Sequence, residues 1–216
     1  MKRIIITTLF AIALGAGSAP AIVYYANTDL TTPPSGATFT AVGGSLGTKS
    51  QAGFTILGVT GGPSGNEIDI GQSLLIDFTA AQRFDSLSLG LLFDGPEYND
   101  NMEIAAALTD GSATVFTLKA TGTTSATWTG FAGATVTNIG SAVNGEGGAW
   151  RIDNPFGALG VTQLRLYPLS SAPTQNESDF GLHAFRTTAV PEAGSTLTLL
   201  GLAMLGMVAA ARRFRR

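Results

Sequence analysis

Between Thr38 and Arg186 the chain alternates apolar and polar residues at intervals of two, in one short run after another, with no helical repeat of useful length. The clearest run is Arg83 to Phe93: Leu87, Leu89, Leu91 and Phe93 fall on one side, Ser86, Ser88 and Gly90 on the other. That spacing predicts a half-buried strand, because successive side chains of a strand point to opposite faces. Thr38–Val42, Phe54–Val59, Leu74–Phe78, Ala126–Thr129, Thr135–Ile139, Ala149–Ile152, Val161–Tyr167 and Asp179–Arg186 read the same way. Met102–Leu108 and Ala113–Lys119 flank Asp110 and Gly111, and an Asp-Gly step between two such runs predicts a hairpin, since Gly accepts the positive φ that the turn requires. Ile104–Leu108, with its three Ala residues, is the one stretch that a helix would also suit.

Gly, Pro, Asn and Ser separate these runs, and Gly-rich patches near Gly43, Gly61 and Gly145 read as loops. About ten or eleven short strands at this spacing predict an all-β body, an antiparallel two-sheet sandwich of jelly-roll type, spanning residues 22–189. The chain has no cysteine, which excludes disulfides, thiol nucleophiles and cysteine-based metal sites. Between Ile22 and Val190 six basic residues face fourteen acidic ones, a net charge of −8. Such a field repels phosphate backbones, so nucleic acid is not an expected partner.

The two ends differ from the body. Lys2 and Arg3 precede an apolar run from Ile4 to Gly15, and Ala19, Pro20 and Ala21 follow. A short basic start, about a dozen apolar residues and small residues at the cut site predict a signal peptide, residues 1–21, cleaved by signal peptidase after Ala21. The apolar run falls short of the ~20 residues of a spanning helix. At the other end residues 195–211 carry no charge, and Arg212, Arg213, Arg215 and Arg216 close the chain. Those 17 residues reach the lower limit for a transmembrane helix, and the arginines predict that its end stays cytoplasmic, with the body facing outward.

Val190, Pro191, Glu192, Ala193, Gly194, Ser195 and Thr196 stand before that run. Motif, apolar helix and terminal arginines together resemble the PEP-CTERM sorting signals of Gram-negative bacteria. Ala193 departs from that pattern, which has a second Pro there, and Gly194-Ser195-Thr196 is similar to the related VPDSG-CTERM variant. The resemblance covers residues 190–216 and implies processing by an exosortase-type membrane enzyme, transient anchoring, and delivery to the cell surface or extracellular matrix, often beside exopolysaccharide. It implies nothing about the body. Pro191 would in any case hold the motif extended, as a processing enzyme requires.

Within the body the only histidine, His183, lies on the opposite side of its run from Phe180, Leu182 and Ala184, and no Gly-x-Ser-x-Gly elbow accompanies it. A surface or hydrogen-bonded residue is the expectation over a triad member. Asp94, Glu97, Asp100 and Glu103 crowd one turn, where paired carboxylates could run glycoside hydrolysis, but solvated loops are the default reading. Asp94, Glu97 and Asp100, or Glu177 with Asp179, are candidate Ca²⁺ ligands, although their spacing is not that of an EF-hand. No other cofactor is expected. Trp128, Trp150, Tyr98 and Tyr167 would form a sugar-stacking platform if exposed together, and core residues otherwise. The expectation is therefore a non-enzymatic surface or matrix protein, with a secreted carbohydrate-binding module or a hydrolase as alternatives.

Overall fold

The computed structural model describes residues 21–51, 53–93, 102–142, 147–170, 178–190, 200–201, 203–207 and 211. Pro20–Val190 form one compact unit. Its strands are β1 (Ile22–Tyr25), β2 (Ala37–Val42), β3 (Leu46–Gln51), β4 (Phe54–Val59), β5 (Ser73–Leu92), β6 (Ile104–Thr109), β7 (Val115–Gly122), β8 (Ser125–Thr129), β9 (Thr135–Gly140), β10 (Gly148–Asp153), β11 (Val161–Leu169) and β12 (Gly181–Ala189), with one helical turn, α1 (Ala26–Asp29). The body is all-β and every pairing between these strands is antiparallel.

Where the sequence predicts two separate sheets, the described strands join in one twelve-stranded network. The cause is β5, which absorbs two predicted strands and the Thr79–Gln82 stretch between them. Its first part, Ser73–Gln82, pairs β2 on one side and β11 on the other, and β11 continues through β6 and β7 to β8. Its second part pairs β10, and beyond it β9, on one side and β12 on the other. The far edge of β12 takes β1 along Ala184–Thr187 and β4 at Leu182, with β3 outside β4.

Twenty extended residues would run roughly 66 Å, against a body of ~170 residues about 40 Å across, so β5 must bend. Register shifts do this: the ladder to β12 slips between Ser86 and Phe84, and the ladder to β10 slips at Leu91, whose φ of 64° marks the extra residue of a bulge. Each slip exchanges the inward and outward sides. Phe78 and Phe84 are buried at even positions, Leu87 and Leu89 at odd ones, and after the bulge it is Leu92 that is buried, not the predicted partner Phe93.

Aromatic rings from the two halves meet in the core. Phe39 of β2 lies 4.9 Å from Tyr24 of β1 and 6.4 Å from Phe185 of β12, and Phe78 lies 5.8 Å from Phe185. Phe156, in the β10–β11 connection, packs on Phe84 at 5.2 Å and Phe116 at 4.8 Å. Burying rings of this size is the largest apolar contribution available to a body with no disulfide. Ile56 of β4 covers the backbone at Gly90 and Gly181, close approaches that leave no room for larger residues.

The Asp-Gly hairpin forms as predicted, with Leu108 opposite Val115. Ile104–Leu108 is strand, not helix, because β7 and β11 occupy both its edges. Residues 1–20, which carry the predicted signal peptide and Ala19, lie outside the described residues, while Ala21 is exposed and enters β1. Residues 200–201, 203–207 and 211 are helical, with Leu200, Met204, Leu205 and Met207 exposed. Among the described residues no helix is long and apolar enough to cross a membrane.

Candidate functional site

Of the sorting motif only Val190 is described: its N–H donates to Ala81 O at 2.8 Å, tying the end of the body to the middle of β5. Pro191, Glu192, Ala193, Gly194, Ser195, Thr196, Arg212, Arg213, Arg215 and Arg216 lie outside the described residues, as do Asp94, Glu97, Asp100, Glu177, Gly145 and Tyr98.

Asp179, the one described Ca²⁺ candidate, belongs to a buried carboxylate cluster whose other members come from distant parts of the chain. Glu67 and Asp69 lie in the β4–β5 connection, and Glu103 immediately precedes β6. All three are almost fully buried. Lys49 of β3 donates to Glu67 Oε1 and to Ser64 O, the latter at 3.2 Å. The Ser64 hydroxyl donates to Asp179, and the Ser64 N–H to Asp69 Oδ1 at 3.3 Å. The backbone N–H groups of Phe93 and Asp179 donate to the two oxygens of Glu103, at 2.7 and 3.4 Å.

One lysine cannot neutralise four carboxylates out of water, so the cluster holds protons. Burial, then the hydrogen bond and charge of Asp179, push Glu67 up to about 9 against the pull of Lys49. Burial, with the charge of Asp179, raises Glu103 well above the ordinary carboxyl range, and burial raises Asp69 as well. As an ionised group Glu67 leaves Oε2 without a hydrogen-bond donor; as an acid it offers a proton to Asp179. Asp69 Oδ2 is likewise without a donor. Among the described residues no three His, Asp or Glu side chains are grouped as a metal ion requires.

His183 is half-buried, with Nδ1 2.8 Å from Thr55 O and its ring edge-on to Phe54 at 5.5 Å. That contact assigns it a structural bond. The aromatic candidates are dispersed: Trp150 is fully buried, and Trp128 stacks on Phe116 and donates to Pro155 O at 2.9 Å. Tyr167 is half-buried, with the Arg165 guanidinium 5.1 Å above its ring.

Sequence reasoning missed Glu67 and Asp69. Their one signal was an acid alternating with Ile68 and Ile70 immediately before a strand, which reads equally well as a solvated edge. Comparison with known protein families, characterised proteins and solved structures gives no match.

Proposed function

We propose that the chain is an exported, non-enzymatic surface or extracellular-matrix protein, delivered by a cleaved signal peptide and held by its C-terminal run until an exosortase-type enzyme processes the Val190–Thr196 motif. The observation that carries this reading is the order of three parts in residues 190–216: a Val-Pro-Glu motif, an uncharged apolar run, terminal arginines. Exposure of Leu200, Met204, Leu205 and Met207 supports it, because apolar side chains on a helix surface belong in lipid or against a partner. For the body, the ring contacts between the two halves of the network support a two-layer sandwich of jelly-roll type.

The test is the intact mass and location of the protein in native cells, beside a Pro191→Ala/Glu192→Ala variant. The reading expects wild type to lose its first 21 residues and its tail and to leave the membrane, while the variant keeps the tail and stays there. If both keep the apolar run, the tail is a plain anchor; if the N-terminus is still Met1, export by this route is wrong.

A further inference from the structure

We propose that the outer face of the β2-β5-β11-β6-β7-β8 half binds a linear acidic polysaccharide, with Arg165 and Lys119 taking its carboxylates. The polymer's relevance rests on the export reading above; the binding itself does not.

The body has six basic residues, and contacts with carboxyl groups account for four of them: Lys49 with Glu67, Arg83 and Arg186 with Asp85, Arg151 with Asp153. Arg165 and Lys119 have no carboxylate partner among the described residues, and the strand register places both on one face. Arg165 stands opposite Leu108, which stands opposite Val115; Leu169 stands opposite Ile104, which stands opposite Lys119. Side chains alternate along each strand, so Arg165, Tyr167 and Leu169 share the face with Val115, Thr117 and Lys119. Two strand spacings and four residues separate the two cations, roughly 16 Å. One small anion cannot bridge that distance, whereas a chain with repeated carboxylates can.

The surface around them has the other features that a sugar chain requires. A groove of about 350 Å³ includes Arg165 in its lining, with apolar Val42, Leu75 and Leu108 and polar Ser73, Thr109, Asp110 and Gln163. Apolar lining suits the C–H faces of sugar rings, and planar polar side chains suit pairs of hydroxyls. Ser73 Oγ is fully buried at this groove and has no hydrogen-bond partner. Exposed Thr38 and Thr40 at one edge, and Thr127 and Thr129 at the other, add hydroxyls along the same face.

The acids nearby bond to neutral donors and form no ion pair with Arg165 among the described residues. Asp77 accepts Gln163 Nε2 at 2.6 Å, and Asp110 accepts the Thr162 hydroxyl and the N–H groups of Thr162 and Gln163. Arg165 instead stacks on Tyr167, which fixes the guanidinium while leaving its N–H fork free for a carboxylate.

The experiment is affinity electrophoresis of the detergent-solubilised full chain in gels containing polygalacturonate, dextran or polyglutamate. Retardation by polygalacturonate alone is expected, with the dissociation constant raised about tenfold in Arg165→Met and retardation abolished in Arg165→Glu/Lys119→Glu, both variants keeping the wild-type circular dichroism. Equal retardation by dextran overturns the role of the cations, and equal retardation by polyglutamate overturns the sugar. No retardation by polygalacturonate, or unchanged retardation of the double variant, overturns the site. If the double variant loses its fold, Arg165→Met alone decides. Binding in the gel and processing in cells are read separately, so either can fail without the other.

Discussion

Glu67 makes the stability of the body fall with rising pH, opposite to the usual behaviour of a carboxylate in an ion pair. Its carboxyl titrates near 4.5 when unfolded and near 9 when folded. Between those values the folded state holds a proton that the unfolded state has released, so the stabilisation is complete below pH 4.5 and is lost as pH approaches 9. One proton corresponds to about 1.4 kcal/mol per pH unit, or about 4 kcal/mol between pH 5 and 8 as an upper figure for Glu67 alone. Glu103 and Asp69 are also raised and act in the same direction; Asp110 does not interfere. Burial works against ionisation of Asp110, but hydrogen bonds from Thr162 and Gln163 outweigh it and hold its carboxyl below the ordinary value, so its effect lies at more acid pH. Urea unfolding of the full chain, followed by Trp fluorescence, reads the effect: with a slope of about 2 kcal/mol per molar, the midpoint falls by up to about 2 M from pH 5 to pH 8. Glu67→Gln keeps a donor for Asp179 and an acceptor for Lys49 but cannot ionise. It matches wild type at pH 5 and is more stable at pH 8. A wild-type midpoint that stays level or rises over this range, or a variant equally weakened at both pH values, refutes the account.

Two further substitutions probe the scaffold. Leu30 has φ 52° and ψ −121°, a region natural to glycine, with half of its side chain exposed; Leu30→Gly raises stability by about 1 kcal/mol in the same unfolding assay, and a loss would show that the side chain matters more than the backbone. A methyl group on Gly181 overlaps Ile56, so Gly181→Ala costs about 1–3 kcal/mol, and Ile56→Ala in the same chain recovers part of it; additive losses in the double variant would remove the steric cause.

What the sequence made legible was local. β4 has the predicted bounds, and the hairpin at Asp110-Gly111 needed only the turn chemistry and two flanking runs. β5 was not legible as one strand, because Thr79, Ala80, Ala81 and Gln82 offer no alternation and read as a break; they are held by backbone bonds from Thr79 to Gly36 and from Val190 to Ala81, and by the pairing of Gln82 with Val161 and Ala189. β3, Leu46–Gln51, has one large apolar residue and takes its strand form from β4. The carboxylate cluster was hidden for a related reason: Ser64 and Asp179 are 115 positions apart, and no spacing rule relates groups joined only by the fold. Arg165 and Lys119 were visible as charges, but their shared face follows from register, which alternation within single strands does not supply.

The pairing of β1 with β12 has a consequence in time. Ile22, at the start of the first strand, lies opposite Thr187, near the end of the last, and β12 also runs along β5 from Gly181 to Ala189. A chain made from its N-terminus cannot complete this ladder until residue 189 has emerged, and among the described residues β1 pairs with no other strand. Contacts of such long sequence separation form slowly. The final closure of the body therefore waits for the segment that leads directly into the tail.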